Sequence, residues 1–240
     1  MLGSYARAAM LGLALWATAG AALADDLADF NAAIEAAEAH NRVAIGYLRT
    51  GNSDLASLEL DRLRAAWAKV TAIKRPAVFD GNALYVMTLT EVSGRLVAAD
   101  LMLNSGRPEQ ARQALTAISA NLYTLRKSAG IVVLADCIRD SNTAMDALMV
   151  YNDRELDWSK PETAAAVSEK SGAYEKILDR CNATASEALR KEGEFRRLID
   201  GAKEGLALIP QAVKTHDTAL LHRVLIQLRS FDNLLAFRFG

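Results

Sequence analysis

The sequence predicts an all-α protein. Apolar residues recur at spacings of three and four almost everywhere after Asp25, and no segment alternates with the period of two that marks a strand. The composition agrees, because Ala and Leu are abundant, only 6% of the residues are aromatic and only 4 are prolines. Turn residues interrupt the helical periodicity and divide the chain into seven or eight amphipathic helices.

The helices are expected, in chain order, over residues 26–50, 53–73, 82–104, 107–128, 131–152, 161–191, 193–214 and 217–238. Their boundaries coincide with polar, glycine or proline clusters at 50–52, 105–108, 130, 157–161 and 215–217. Segment 74–81, which contains Pro76, is the clearest linker. Pro210 falls inside a helical pattern and is expected to kink that helix, because proline has no backbone N–H to donate.

The first 24 residues have the pattern of a bacterial signal peptide. Arg7 is the only charged residue before Asp25, an apolar run over 8–17 follows, and Ala22, Leu23 and Ala24 give a small-x-small cleavage pattern. The run is shorter than the roughly 20 apolar residues of a membrane span. We therefore expect cleavage between Ala24 and Asp25, a periplasmic location, and no integral membrane segment in the mature chain. Residues 25–240 are expected to form a single all-helical domain, with possible sub-boundaries near 74–81 and 153–160.

The charge balance argues against a nucleic-acid partner. The chain has 28 basic and 29 acidic residues, and the leader removes only Arg7, so the mature chain is slightly acidic with its charges interleaved. Nucleic-acid phosphates select instead for a basic face. A core of this size needs no cofactor to hold it together, and none is predicted.

The inter-helix turns form a spaced pattern. Gly51 and Gly106 are 55 residues apart, and His216 lies 110 further on. Apolar residues occur at matching offsets after each turn: Ala56, Ala111 and Leu221 at five, Leu60, Leu115 and Leu225 at nine, and Leu63, Ile118 and Leu228 at twelve. Internal duplication and the chance alignment of amphipathic hairpins both account for this pattern.

Two of these turns, Gly51-Asn52-Ser53-Asp54-Leu55-Ala56 and Gly106-Arg107-Pro108-Glu109-Gln110-Ala111, resemble the inter-helix turn of tetratricopeptide repeats. In that family a small residue packs under the turn, and an Ala five positions later lets the helices approach closely. The resemblance implies stacked antiparallel hairpins with a groove that holds a peptide or a partner protein. A compact helical bundle with similar turns is equally compatible with the residues.

The two cysteines, Cys137 and Cys181, lie on the apolar stripes of their helices. In an oxidising compartment such a pair commonly forms a disulfide, while free core thiols and a redox or metal pair are the alternatives. Met145 and Met149 are one helical turn apart on the helix that carries Cys137, and soft sulfur ligands of this kind can hold copper. Methionine can also ligate haem in a four-helix bundle. Methionines at helical spacing serve as core filler as well.

Polar side chains interrupt three apolar stripes, at Asn41, Asp100 and Asp232. A buried carboxylate requires a partner or a raised pKa, so these residues indicate either a small polar pocket, suited to a cation, or internal pairing with an arginine such as Arg95 or Arg229.

No catalytic motif is present in the sequence. The chain has no Gly-x-Ser-x-Gly elbow, no glycine-rich phosphate loop and no His-Glu-x-x-His, and its three histidines lack metal-ligand spacing. We therefore expect a non-catalytic protein that binds a protein or peptide partner, with a metal- or haem-carrying bundle as the alternative.

Overall fold

A computed structural model describes residues 8–152 and 156–240, with side chains from residue 26 onward. Every regular element in those ranges is helical, which confirms the all-α fold class. The predicted signal peptide, residues 1–24, and its cleavage site between Ala24 and Asp25 lie outside the residues whose side chains are described, and both stay predictions. None of the helices in the described ranges combines the length and the apolarity that crossing a bilayer requires.

The chain divides into two compact units, one ending at Ile131 and the other beginning at Val132. This differs from the single predicted domain, and neither predicted sub-boundary is the division. Segment 74–81 belongs to the first core, because Phe79 is fully buried there against Phe30, with ring centroids 5.6 Å apart. Near 153–160, Trp158 packs on the second core and donates from Nε1 to Thr218 Oγ1 at 2.7 Å. Segment 74–81 and the described residues 156–160 therefore each carry an aromatic side chain that packs within a unit.

The first unit is a closed four-helix bundle. It consists of α1 (Ala8–Arg49), α2 (Ser53–Ala72), a 3₁₀ turn (Ala77–Phe79), α3 (Ala83–Asn104) and α4 (Pro108–Ser128). The helices α1 and α3 each pack against both α2 and α4. Their apolar stripes meet in one buried core, which includes Phe30, Ile34, Leu60, Leu63, Val92, Leu115, Ile118 and Leu122.

The second unit is also a closed bundle, but two consecutive helices together take the place of a single third helix. It consists of α5 (Leu134–Met149), α6 (Pro161–Thr184), the short α7 (Glu187–Lys191), α8 (Gly193–Leu206), α9 (Ile209–Thr215) and α10 (Thr218–Phe239). Helix α5 packs against both α6 and α10. Helices α8 and α9 also pack against both α6 and α10, and together they take the position opposite α5. In each unit the first helix thus contacts the last one, as in a closed bundle.

Two predicted helices are broken in the structure. The expected helix over 161–191 ends at Thr184, because Ala185 is extended and Ser186 begins a new helix by accepting the backbone N–H of Leu189 at 3.2 Å. The expected helix over 193–214 is interrupted after Leu206, and Pro210 stands in the first turn of α9, where its missing N–H costs nothing. In place of the kink predicted at Pro210, the structure has a break between two separate helices, α8 and α9.

The three aligned turns share one backbone geometry. Gly51, Gly106 and His216 all have positive φ, at 76°, 69° and 53°. After each of them a backbone N–H returns to a carbonyl five residues earlier, with the bonds from Asn52, Arg107 and Asp217 measuring 2.9, 2.8 and 2.9 Å. The aligned residues Ala56, Ala111 and Leu221 are fully buried. The spacing pattern in the sequence thus corresponds to three helix ends that each place one residue in the left-handed conformation.

Two glycines of the first unit are expected to respond oppositely to alanine. Gly106→Ala should lower the free energy of unfolding by about 1 kcal/mol, because an L side chain is strained at positive φ. Gly94→Ala, inside α3 with open space at its Cβ position, should raise it by up to about 1 kcal/mol through helix propensity. Urea unfolding at low micromolar protein, followed by circular dichroism, measures both shifts. Shifts of the same sign would contradict the assigned turn geometry.

Candidate functional site

The outer side of α3 is unusual because it exposes apolar side chains along most of its length. Met87, Val97 and Leu101 are 62%, 54% and 59% exposed, in contrast to the buried inner side that carries Val92 and Leu96. The exposed positions recur at spacings of four and three, which is the seam of a helix that packs on another helix. We call them the outer stripe: Ala83, Met87, Thr90, Gly94, Val97, Leu101 and Asn104.

A groove of about 340 Å³ adjoins the N-terminal half of this stripe, between α3 and α4. It exists because α4 presents the small side chains Ala117 and Ala120 to a space that Leu84 and Met87 of α3 also line. Alanine in this position leaves space that larger residues would fill. The outer stripe and the groove together form the α3–α4 face.

One ion pair lies in the wall of the groove. Arg95 Nη2 donates to Glu91 Oε1 at 2.5 Å. This hydrogen bond, and a second one from Asn121, hold the pKa of the Glu91 carboxyl below its usual range. The Nε atom of Arg95 is buried and has no hydrogen-bond partner in the structure. The groove therefore contains one paired carboxylate and one guanidinium with an unused donor.

A carboxylate occupies the centre of the second unit. Asp232 of α10 is fully buried and accepts hydrogen bonds from Ser141 Oγ at 3.1 Å and Asn142 Nδ2 at 2.6 Å, both from α5. Tyr174 Oη of α6 is 3.5 Å from Oδ1. The other carboxylate oxygen, Oδ2, also lies 3.5 Å from Arg229 Nη1. This one side chain connects three helices.

The pKa of Asp232 is raised to about 6, because burial outweighs the opposing effects of Ser141 and Arg229; the nearby charge of Asp146 acts in the same direction as burial. Burial also raises the pKa of the Tyr174 hydroxyl above its usual range, so that Tyr174 stays a neutral donor. Asp232 is therefore paired inside the second unit by hydrogen bonds from Ser141 and Asn142 and by the nearby Arg229, as the internal-pairing interpretation predicts.

The other two buried polar candidates differ from each other. Asn41 is fully buried in the first unit, where its Nδ2 donates to the backbone carbonyl of Leu115 at 3.1 Å and its Oδ1 has no partner in the structure. Asp100 is not buried, contrary to expectation: its side chain is 37% exposed and lies 3.6 Å from Arg64. Because α3 is apolar on several sides, its apolar pattern does not define which side faces the core. Asp100 lies at the edge of the buried side and is only half-buried.

The predicted disulfide between Cys137 and Cys181 is present and joins α5 to α6. The sulfur of Cys137 is therefore committed to this bond and offers no thiolate beside Met145 and Met149. Met145 is fully buried in the core and Met149 packs against it. Across the described residues, no three His, Cys, Asp or Glu side chains cluster in a way that could hold a metal ion.

The sequence did not single out the α3–α4 face. Its one available signal was the spacing of Glu91 and Arg95, which are four residues apart as in a helical ion pair. The groove itself depends on Ala117 and Ala120, about thirty residues away in the chain, and helical periodicity does not report such an approach between helices.

No protein-family model matches this chain, and no significant similarity to a curated protein or to a solved structure was found. The tetratricopeptide resemblance therefore stays a prediction.

The titration of Asp232 should be visible in the stability of the second unit. Because its pKa is raised in the folded state, the folded protein binds this proton more tightly than the unfolded chain does. The stabilisation that this proton provides is fully present below about pH 4. It is lost as the pH rises through about 6, which lowers the free energy of unfolding by about 3 kcal/mol. Asp232→Asn should remove this dependence, whereas Asp200→Asn, at an exposed site, should retain it. Denaturant unfolding at pH 4 to 7 measures the difference, and parallel profiles for all three proteins would refute the assignment.

Reduction of the disulfide should destabilise the second unit. The bond closes a loop with a sequence separation of 44, which corresponds to about 4 kcal/mol in the chain-entropy model. Trp158 lies in the second unit and Trp67 in the first, so Trp67→Phe and Trp158→Phe variants, each also carrying Trp16→Phe, report on the units separately. Urea unfolding of oxidised and reduced protein should show the loss only through Trp158. A loss seen equally through Trp67 would contradict this location of the effect.

Proposed function

We propose that the protein is an exported, non-catalytic binding protein that holds a helix of a protein partner against the α3–α4 face of its first unit. The observation that carries the proposal is the outer stripe, which exposes Met87, Val97 and Leu101 at the spacing of a helix-packing seam. An apolar stripe of this kind on a folded domain is typical of an interaction site.

The groove indicates the chemistry of the partner. A helix that lies along α3 would place apolar side chains at a three- and four-residue spacing between the residues of the outer stripe and into the space above Ala117 and Ala120. The only charges in the groove wall, Glu91 and Arg95, neutralise each other. The partner helix is therefore apolar along its contact side and needs no excess of either charge.

The disulfide supports the proposed export. Cys137 and Cys181 are each 1% exposed, and a buried structural disulfide is typical of the periplasm and other oxidising compartments. It agrees with the predicted signal peptide, which directs the chain to the same compartment.

Site-specific photocrosslinking in the producing cell tests the function. A benzophenone side chain at Val97 should yield a discrete protein adduct in the periplasmic fraction, whereas the same group at Ile226 of α10 should not. The two sites are matched, with exposures of 54% and 60%. Adding Leu101→Glu to the Val97 variant should abolish its adduct, because a charge in the seam costs desolvation.

Adducts of equal yield at Val97 and Ile226 would show that the α3–α4 face has no special affinity for protein. An adduct at Val97 that persists undiminished with Leu101→Glu would likewise contradict binding through the outer stripe.

A further inference from the structure

We infer, building on the proposed function, that the helix held by the α3–α4 face is α3 of a second copy of this chain, running antiparallel about a two-fold axis near Gly94. Three features of this face support the inference: its symmetry about Gly94, its complementary halves and its charge pattern.

The two longest apolar side chains of the outer stripe, those of Met87 and Leu101, are placed symmetrically about Gly94. Met87 lies seven residues before it and Leu101 seven residues after it, so antiparallel helices that cross at Gly94 place Met87 of one copy opposite Leu101 of the other. Gly94 has open space at its Cβ position and lacks a side chain that would hold the two backbones apart. A two-fold dimer uses the same patch on both subunits, which requires this kind of self-complementarity.

The two halves of the face also complement each other in shape. The N-terminal half borders the groove, where Ala117 and Ala120 leave space, while the C-terminal half projects Val97 and Leu101 into solvent. Antiparallel pairing brings Leu101 of each copy to the level of Met87 of the other, at the edge of the groove.

The charges match as well. Antiparallel pairing about Gly94 places Arg95 of the second copy at the level of residue 93, about 3 Å along the helix axis from Glu91. Glu91 and Arg95 are both partly exposed, so the carboxylate of each copy lies near the guanidinium of the other and adds an opposite-charge contact across the axis to the ion pair within each chain. Asp100, the other acidic side chain bordering the stripe, is already paired with Arg64.

The size of the face fits a reversible dimer. The 22 residues of α3 extend for about 33 Å. Two adjacent helices are about 20 Å wide, so the outline of the face covers roughly 650 Å² per copy. A standard stable interface buries about 800 Å² per partner, so association that depends on concentration is expected.

Sedimentation velocity of protein expressed from the full-length sequence tests the dimer. The wild type should sediment as a dimer near 100 µM and shift toward monomer on dilution. Val97→Glu should be monomeric throughout, whereas Ile226→Glu, a matched exposed site in the second unit, should dimerise like the wild type. Circular dichroism confirms that each variant is folded. A wild type that is monomeric at every concentration, or a dimer lost equally with Ile226→Glu, would overturn the inference.

A charge-exchange experiment tests the antiparallel arrangement directly. Glu91→Arg and Arg95→Glu each place like charges across the axis, so each variant alone should dimerise at least tenfold more weakly than the wild type. An equimolar mixture restores both opposite-charge contacts and should recover dimers that contain one chain of each kind. Failure of the mixture to recover would overturn the pairing of Glu91 with Arg95 of the second copy.

Oxidative crosslinking supplies an independent readout. Gly94→Cys should form disulfide-linked dimers much faster than Gly172→Cys, which also stands inside a helix with open space at its Cβ position. Equal rates would contradict an axis near Gly94.

If the wild type is monomeric while Val97 still crosslinks to a different protein in cells, the proposed function stands and only the identity of the partner helix is wrong. If Val97 yields no adduct, both fail.

Discussion

Each unit depends on the contact between its first and its last helix, and both units make that contact with buried polar groups. In the first unit, Asn41 of α1 donates to the Leu115 carbonyl of α4. Glu38 of α1 lies 3.5 Å from Arg126 of α4, with both side chains buried. In the second unit, Ser141 and Asn142 of α5 bind Asp232 of α10. Hydrogen bonds have defined directions, whereas apolar contacts do not, so these groups fix how each bundle closes.

Closure leaves α3 with more apolar surface than its bundle can cover. Within the ring, α3 buries one side, including Val92 and Leu96, against its neighbours. Other apolar residues of α3, among them Met87, Val97 and Leu101, have no place in that core and face solvent. A helix that is apolar on several sides is usually covered on all of them. The proposed binding function follows from this imbalance, and a second copy of α3 corrects it because Met87 and Leu101 are placed symmetrically about Gly94.

The sequence predicted those parts of the fold that local chemistry determines. Helix ends at Gly51, Gly106 and Gly130 were predictable because glycine tolerates the left-handed conformation that ends a helix, and the disulfide because both cysteines lay on apolar stripes. The break at Ala185 was missed, because the apolar period continues through it into Leu189. The burial predicted for Asp100 was wrong, since the broad apolar surface of α3 does not specify which side faces the core. The groove beside Ala117 arises only when distant helices meet, and no local pattern encodes it.

Methyl NMR of ¹³C-labelled methionine tests the central claim most directly, because the methionines report on different surroundings. Met87 lies exposed at the groove, while Met145 is fully buried in the second unit and Met102 and Met149 are partly buried. As the protein concentration rises, the Met87 methyl resonance should shift or broaden while that of Met145 stays unchanged. A Met87 resonance that remains sharp and unshifted at every concentration, and also in the presence of periplasmic extract, would contradict the assignment of the α3–α4 face as the contact surface.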